Sequence, residues 1–392
     1  MKFLKSWRTL LGIAISAGFL FFAFRGQDYG RIREAVRSFD YRYLIPALAL
    51  YLLGIWTRAF RWSVLLRPLT KATTRDVAPI TVVGFMANNV LPLRTGEVVR
   101  AYVLSKRYDV TKTSALATIA VERLFDGLTM LGFMLVAATA VSFTSELRHL
   151  ALLAFVLFAV AQIGLFLLTL GGNIRDRLLQ VFLGPLPTPV ADRVERMAES
   201  FLSGLGVLKR KGDLAAVAGA SVLAWLLEAS TYYMISRGFN ADLKDVLGVG
   251  EILLTTGVAN LATLVPSSPG YVGPFEYGVQ LVVSGALGVP RELAISFAIV
   301  VHATLYFPIT IWGAFEWWRQ HLSLRQVREI EGEPVEKATP AAAIGATVSS
   351  TSLNGAAHAA SNGVAHDTAV VGRTTTEPAH PSKASDVTSN VA

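Results

Sequence analysis

The sequence predicts an all-α fold, a polytopic integral membrane helix bundle with about six full spans and two re-entrant hairpins arranged as an inverted repeat. Three observations support this fold class. Hydrophobic residues make up 53% of the 392 residues and charged residues only 16%, which leaves more apolar surface than one soluble core hides. Several apolar runs reach the roughly 20 residues that cross a bilayer. Two shorter runs end in similar polar stretches that contain Pro and Gly.

The predicted full spans begin near the N-terminus. Residues 9–24 follow three basic residues but precede no small-x-small cleavage site, so we interpret them as a retained span and not as a signal peptide. The remaining predicted spans are 43–66, 113–143, 150–170, 214–236 and 293–317. The number of spans stays open by one near residues 9–42, because the five Arg residues between 25 and 42 would lie in an outer loop.

Two apolar runs are too short to cross and are interpreted as re-entrant hairpins: residues 77–91 and residues 249–265. They share an Asn, then a Pro, a Gly four residues after the Pro, and a Glu. The first supplies Asn88, Pro92, Gly96 and Glu97, and the second supplies Asn260, Pro266, Gly270 and Glu276. In the predicted topology the two hairpins enter from opposite sides, as in inverted-repeat transporters. Chance is the alternative, because Gly, Pro and Asn recur at ordinary membrane turns.

The basic residues set the predicted orientation. Most Lys and Arg residues lie in loops on the same side as the N-terminus, so we expect the chain in the cell (inner) membrane with both termini cytoplasmic. The loop 171–213 includes VADRVERMAESFLSGLGVL (190–208), whose helical apolar spacing predicts an amphipathic helix on the inner surface. The domain prediction is a first span and basic loop at 1–42, a transmembrane domain at 43–317, and a basic juxtamembrane segment with a disordered tail at 318–392.

Composition argues against several functions. The chain has no Cys, which removes disulfides, thiol nucleophiles and Cys-bound metals. The net charge of +8 lies largely in loops beside apolar segments, where it contacts lipid head groups, so we expect no nucleic-acid partner. No Walker A, H-E-x-x-H or G-x-S-x-G pattern occurs, and we predict neither a cofactor nor a metal site.

Four stretches carry a family resemblance: RAFRWSVLLRP (58–68), NNVLPLRTGEVVRAYVL (88–104), ATIAVERLFDGL (117–128) and LVPSSPGYVGPFE (264–276). Together they resemble the lysylphosphatidylglycerol synthase transmembrane-region family, also called the flippase-like family. The resemblance implies a membrane domain that moves, or helps to move, lipids with charged or glycosylated head groups between leaflets. In bifunctional members an aminoacyl-transferase domain follows. Only a short, mostly low-complexity segment follows the last predicted span here, so we do not expect aminoacyl transfer.

Charged residues inside the apolar segments are the candidate site, because a charge at the bilayer centre costs about 2.5–3.5 kcal/mol. Arg123 stands out, since its guanidinium fork can bind a phosphate while Glu122 or Asp126 holds it in place. An ion pair that only locks helices together is the alternative. We predict that the head group binds at Arg94, Glu97, Arg100, Arg123 and Glu276, with supporting or coupling roles for Asn88, Glu122, Asp126, Glu228, Asn260 and His302.

Several of these residues have simpler explanations. Arg94 can meet inner-leaflet phosphates as a snorkelling residue. Glu228 has no local partner, so it must be protonated or paired across helices, and it can serve a coupling proton, a cationic head group or helix packing. His302 is a lone membrane His, which is more often a packing hydrogen bond than a ligand. Arg58 and Arg61 are interpreted as snorkelling residues near Trp anchors, without a function.

The leading hypothesis is a lipid flippase or lipid-linked-glycan transporter that is not an enzyme. Its partners would be a membrane phospholipid or a lipid-linked glycan and, as a further option, a separate lipid-modifying enzyme. Movement would be downhill or coupled to a proton. One alternative is an intramembrane transferase in which Glu97 and Glu276 serve as acid and base. The other is a non-transporting accessory subunit. The sequence leaves open the lipid, the direction, the energy source and the oligomeric state.

Overall fold

The computed structural model describes residues 7–91, 95–140, 156, 159, 160, 211–265 and 267–322. All regular structure in these residues is helical, which confirms the all-α prediction for them. The α-helices are α1 (Trp7–Phe24), α2 (Tyr29–Arg37), α3 (Leu44–Leu66), α4 (Thr74–Val90), α5 (Gly96–Arg107), α6 (Lys112–Ala140), α7 (Lys211–Arg237), α8 (Ala241–Lys244), α9 (Val249–Ala262), α10 (Pro274–Gln280) and α11 (Arg291–Arg319). Short 3₁₀ turns lie at Tyr41–Tyr43 and Pro269–Tyr271, and a π-helical segment lies at Leu281–Ala286.

Three of these helical segments are long and apolar enough to cross a membrane: Tyr41–Leu66, Lys211–Arg237 and Arg291–Arg319. They coincide with three of the predicted spans. α6 covers most of a fourth, residues 113–143, and carries charged residues in its first half as the sequence requires. The predicted span 150–170 lies outside the described residues apart from 156, 159 and 160. The predicted amphipathic helix within 171–213 is also outside, as are Arg94 and the tail beyond residue 322.

The stretch after the first predicted span was expected to be a loop, but it contains a helix. After a short link, α2 follows α1 at an angle of 87°, and the bent pair could together count as one further span. Asp28 caps α2 by accepting hydrogen bonds from the backbone N–H groups of Gly30 at 2.7 Å and Arg31 at 3.3 Å. Ile32 is buried while the arginines of α2 are exposed. The basic stretch that was predicted as an outer loop therefore contains an amphipathic helix.

The first hairpin consists of α4 and α5. α4 begins at a capping contact in which the Asp76 carboxylate accepts hydrogen bonds from the N–H (2.9 Å) and hydroxyl (2.6 Å) of Thr73. The two helices approach so closely that a Cβ at Gly96 would lie 2.1 Å from the carbonyl oxygen of Gly84. Near the tip, the Gly96 N–H donates to Asn88 Oδ1 at 2.8 Å. Only glycine permits this antiparallel contact.

The second hairpin consists of α9, the 3₁₀ turn at Pro269–Tyr271, and α10. Its helices also meet at a glycine, because a Cβ at Gly278 would lie 3.0 Å from the Cα of Ala259. Gly270 and Gly273 have φ angles of 75° and 105°, a region that favours glycine, and they form the turn. α1 packs on this turn through Ser16, whose Oγ accepts the N–H of Ser268 at 2.8 Å.

The two hairpin tips meet each other. The hydroxyl of Tyr306, on α11, donates to the carbonyl oxygen of Asn89 at 3.3 Å. A Cβ at Gly270 would lie 3.3 Å from the same oxygen. Away from the tips, each hairpin packs on a long helix of the other half of the chain: α4 on α11, and α9 on α6. α3 and α7 pack along each other.

Apolar side chains form two main buried clusters, one drawn mostly from α3 to α6 and the other mostly from α7 to α11. Some helices contribute to both. On α6, Val121 belongs to the first cluster and Met130 to the second, with buried charged residues between them. On α7, Val217 and Trp225 belong to different clusters in the same way. Buried polar side chains therefore lie where the two clusters meet.

Candidate functional site

A cavity of about 660 Å³ lies among both hairpins and helices α3, α6, α7 and α11. Seven of the predicted site residues line it: Asn88, Glu97, Arg123, Asp126, Glu228, Asn260 and His302. Arg100, Glu122 and Glu276 do not line the cavity, but they are buried behind it. Arg94 lies outside the described residues. Segments far apart in sequence thus bring most of the predicted residues to one place.

Five charged side chains from α3, α5 and α6 form a continuous series of ion pairs, which we name the charge chain. In order, they are Arg100, Glu122, Arg61, Asp126 and Arg123. The N···O distances of the successive pairs are 2.7, 3.5, 2.5 and 3.4 Å. Each carboxylate is shared by two guanidinium groups. Three positive and two negative groups leave the charge chain with one excess positive charge.

Arg123 is the cavity end of the charge chain. Its side chain is 38% exposed, whereas the side chains of Arg61 and Arg100 are 0% and 3% exposed. The predicted same-helix pair between Arg123 and Asp126 is present at 3.4 Å. An anionic group in the cavity can therefore reach Arg123 without breaking the buried part of the charge chain.

Neutral groups satisfy some but not all polar atoms of the charge chain, because no hydrogen-bond partner is described for the buried atoms Arg61 Nε, Arg100 Nε, Arg100 Nη2 and Arg123 Nε. Trp225 Nε1 donates to Asp126 Oδ1 at 2.8 Å, and Arg61 Nη1 donates to Ser221 Oγ at 2.9 Å. The guanidinium of Arg100 lies 4.0 Å from the centroid of the Trp62 ring, a cation–π contact. Such extra contacts are needed because a buried ion pair regains its desolvation cost only when its remaining polar atoms are also satisfied.

A second buried ion pair joins α3 to α7. Arg58 Nη2 lies 2.6 Å from Glu228 Oε2, and the two side chains are only 7% and 9% exposed. Asn260 Nδ2, on α9, donates to the other Glu228 oxygen at 3.2 Å. The guanidinium of Arg58 also lies 4.8 Å from the centroid of the Trp225 ring. Glu228 is therefore paired across helices, which is one of the alternatives that its position in the sequence allowed.

Arg58 and Arg61 correct the sequence interpretation, because neither is a snorkelling residue. Snorkelling places the charged head in water, but both side chains are buried and paired. The neighbouring Trp62 is fully buried as well, so it is not an interfacial anchor. One signal was available: the spans carry carboxylates at 122, 126 and 228, and Arg123 alone cannot neutralise three of them.

Glu276 and His302 form a pair at the second hairpin tip. His302 Nδ1 lies 2.5 Å from Glu276 Oε1, and His302 Nε2 lies 2.9 Å from the carbonyl oxygen of Gly270. The other carboxyl oxygen of Glu276 accepts the N–H of Gly273 at 2.7 Å. His302 is thus engaged by both ring nitrogens. Glu97, the counterpart of Glu276 in the repeat pattern, is half-buried on the cavity wall, forms no ion pair within 4 Å of a described residue, and attracts the guanidinium of Arg123 electrostatically from a longer distance.

The cavity combines cations on one wall with apolar side chains on others, among them Phe85, Leu264 and Ile309. Within the described part of the chain, no three His, Asp or Glu side chains come close enough to hold a metal ion. An anionic group attached to an apolar body matches this arrangement, because it can meet a guanidinium and apolar surface together.

Comparisons with known proteins match the chain to one family model and to several individual proteins. The family model described as lysylphosphatidylglycerol synthase TM region matches residues 9–313. The chain is 26% identical over 302 residues to glycosyltransferase AglD of Haloferax volcanii, covering 70% of this chain and 48% of AglD. It is 26% identical over 299 residues to a UPF0104 membrane protein of Methanothermobacter thermautotrophicus, covering 72% of this chain and 87% of that protein. UPF0104 membrane protein MJ1078 of Methanocaldococcus jannaschii is 24% identical over 227 residues, 58% of this chain and 91% of that protein.

The family match includes every predicted site residue and begins at residue 9, so it takes in α1 as well as the four quoted motifs. The chain spans less than half the length of AglD but most of the length of the UPF0104 proteins. Helices long and apolar enough to cross a membrane lie within the match. The chain therefore belongs to the lysylphosphatidylglycerol synthase transmembrane-region family of membrane proteins.

Proposed function

We propose that this chain moves a lipid with an anionic, aminoacylated or glycosylated head group between the leaflets of the cell membrane. The observation that carries the proposal is the charge chain, whose excess positive charge ends at Arg123 in the cavity. A lipid phosphate is the group that suits this position, because the guanidinium fork binds phosphate oxygens in pairs. The acyl chains remain among apolar side chains and in the bilayer.

The predicted residues have different roles in this proposal. Arg123 contacts the phosphate, and Arg94, close to the first hairpin tip in sequence, supplies a second cation. Arg100 is buried, so it acts through Glu122 and keeps the charge chain in place. Glu97 and Asn260 line the cavity and meet polar or cationic parts of the head group. A charged or sugar-bearing head group would need both kinds of contact.

We also propose that the two hairpins are re-entrant and that the halves form an inverted repeat. The packing of the hairpins supports this arrangement. In the first half of the chain α4 packs on α11 of the second half, and in the second half α9 packs on α6 of the first half, while α3 and α7 pack on each other. The meeting of the tips beside the cavity agrees with transporters in which interrupted helices surround a central site. In this arrangement both termini are cytoplasmic, and rocking of the halves alternates access to the cavity.

A transferase is the second candidate, because AglD is named a glycosyltransferase. The match covers 48% of AglD, so the activity in that name need not reside in the shared part. Such an enzyme would use Glu97 and Glu276 as acid and base. The contacts favour transport, because Glu276 is tied to His302 and to the N–H of Gly273 and does not line the cavity.

Lipid movement in proteoliposomes tests the proposal. The full chain is reconstituted with labelled phosphatidylglycerol, its aminoacylated form or a polyprenyl-phosphate-linked sugar, and the label in each leaflet is measured. Charge-assisted hydrogen bonds contribute about 1.5–3 kcal/mol, so Arg123→Ala should slow movement at least about tenfold. Arg33→Ala is the matched control, because Arg33 is exposed on α2 and far in sequence from the charge chain.

The outcomes separate the candidate functions. Movement of one lipid that is lost in Arg123→Ala and kept in Arg33→Ala supports a flippase. Equal movement in Arg123→Ala and the unchanged chain refutes the role of Arg123. A change of mass in the recovered lipid would identify a transferase. A folded chain that moves and modifies none of the three lipids would point to an accessory subunit.

A further inference from the structure

His302 faces two oxygen atoms with its two ring nitrogens. The first is Glu276 Oε1, 2.5 Å from Nδ1, and the second is the carbonyl oxygen of Gly270, 2.9 Å from Nε2. A carbonyl oxygen only accepts hydrogen bonds, so Nε2 must carry a proton. The side chain of His302 is 13% exposed and that of Glu276 is 8% exposed, so water has little access to either contact.

The contact at Nδ1 then fixes the number of protons on the pair. Either Nδ1 carries a proton and donates to an ionised Glu276, or a neutral Glu276 donates its carboxyl proton to Nδ1. Both forms hold one proton more than a neutral imidazole beside a carboxylate. Without that proton, two acceptors would face each other at 2.5 Å, or Nε2 would lose its bond to Gly270. The geometry is that of the protonated pair.

We propose that Glu276 and His302 form a proton-binding site that holds the second hairpin tip closed and couples lipid movement to proton movement. The coupling rests on the function proposed above, whereas the proton site does not. Gly270 accepts from His302 and lies against both Tyr306 and Asn89, so the same turn touches the first hairpin tip. Loss of the proton breaks one of the two contacts of His302. The tip-to-tip contact beside the cavity is then loosened.

The remaining ionisable groups near His302 are poor alternatives for this proton. The pairs Arg58–Glu228 and Arg123–Asp126 line the same cavity as His302, but each carboxylate in them is already paired with a guanidinium. Glu97 is the exception, because it lines the same cavity from α5 without an ion pair to a described residue, and a pH dependence of lipid movement that persists in Glu276→Gln would point to it.

Tyrosines supply the other ionisable groups that face the pair. Tyr51 on α3, Tyr271 in the turn and Tyr306 on α11 line the cavity, and Tyr232 on α7 and Tyr277 on α10 pack nearby. Phenol groups ionise near pH 10, outside the range in which imidazole titrates. α1 from residue 10 to 24 and the π-helical segment carry no ionisable side chain. Asp76 lies in the first turn of α4, and Glu251 lies in the first turn of α9. The exposed arginines of α2 flank Ile32, whose carbonyl oxygen accepts a hydrogen bond from Ser296 on α11.

Two readouts test the proposal on the full chain. In the first, the ring nitrogens of His302 are followed by ¹⁵N NMR in ¹⁵N-histidine-labelled protein from about pH 5 to about pH 8, with the signal assigned by its loss in His302→Gln. In the second, proteoliposomes enclose a pH-sensitive dye, and internal pH and movement of each labelled lipid are recorded together. The variant is Glu276→Gln, whose amide can donate to Nδ1 and accept from Gly273. The matched control is Glu34→Gln, an exposed carboxylate on α2.

We expect the His302 signal to report one proton taken up by the pair as the pH falls, and lipid movement to drop about tenfold per pH unit below that midpoint, because the bound proton holds the hairpin tip closed. Glu276→Gln should keep a neutral ring throughout and abolish the pH dependence, while Glu34→Gln behaves like the unchanged chain. A His302 ¹⁵N signal that stays the same from about pH 5 to about pH 8 would overturn the proton site, because both protonated forms of the pair change the surroundings of Nδ1 when the proton leaves. Lipid movement that ignores pH and carries no protons would overturn the coupling but leave the flippase. A titrating His302 without any lipid movement would support the proton site and count against the flippase.

Discussion

Replacing Arg61 by Met should destabilise the protein strongly, although Met fills much of the same space. Arg61 is fully buried, and its replacement removes contacts to Asp126 at 2.5 Å, Glu122 at 3.5 Å and Ser221 at 2.9 Å. Removal of one member of a buried ion pair typically costs about 3–5 kcal/mol, because the remaining charge is uncompensated. Both carboxylates keep one other guanidinium, at 3.4 Å and 2.7 Å. We therefore expect the lower end, about 3 kcal/mol.

The free energy of unfolding in mild detergent, measured by denaturant titration and circular dichroism, checks this value. Arg33→Met is the control, because an exposed arginine should change the free energy by less than about 0.5 kcal/mol. The double variant Arg61→Met with Asp126→Asn should lose further stability relative to Arg61→Met, since Arg123 then loses the carboxylate that it keeps in the single variant. If Arg61→Met unfolds like Arg33→Met, the charge chain does not hold the helices as described.

Three further changes test other parts of the structure. Gly96→Ala should lower the free energy of unfolding by about 1–3 kcal/mol or prevent folding, since a Cβ there would lie 2.1 Å from a carbonyl oxygen; Gly219→Ala, whose Cβ would meet nothing within 4 Å, is its control. Asp28→Ala should cost about 1 kcal/mol by removing the cap of α2, and equal helix protection in hydrogen exchange would contradict this. Glu228→Gln keeps the size of the side chain but leaves Arg58 without its carboxylate, so denaturant titration should show a loss of about 3 kcal/mol, and an unchanged midpoint would argue against the 2.6 Å pair.

Local spacing in the sequence predicted the parts of the fold and site that depend on near neighbours. The apolar runs marked the long helices, and the separation of three residues predicted the contact of Arg123 with Asp126. The Pro and Gly pattern predicted two hairpins, and the structure has a helical hairpin at each place. Their entry into a membrane from opposite sides stays a prediction.

Contacts between distant segments were not predictable in the same way. Arg61 and Asp126 are separated by 65 residues, and Arg58 and Glu228 by 170. A sequence shows that a buried carboxylate needs a cation, but it does not show which helix supplies it. Glu276 illustrates the same limit. The repeat pattern matched it with Glu97, whereas its partner in the structure is His302 on the next long helix.

The polar side chains between the two apolar clusters give the bundle a plane along which it can shear. Apolar clusters are close-packed and resist deformation, so each is expected to move as a rigid body. Arg61, which is shared between Glu122 and Asp126, can shift toward one or the other without becoming uncompensated, and each of these carboxylates also has a second guanidinium. Pro79 and Pro308 lie inside α4 and α11, which pack on each other across the two halves. Because proline removes a helical hydrogen bond, these two helices can bend as the bodies slide.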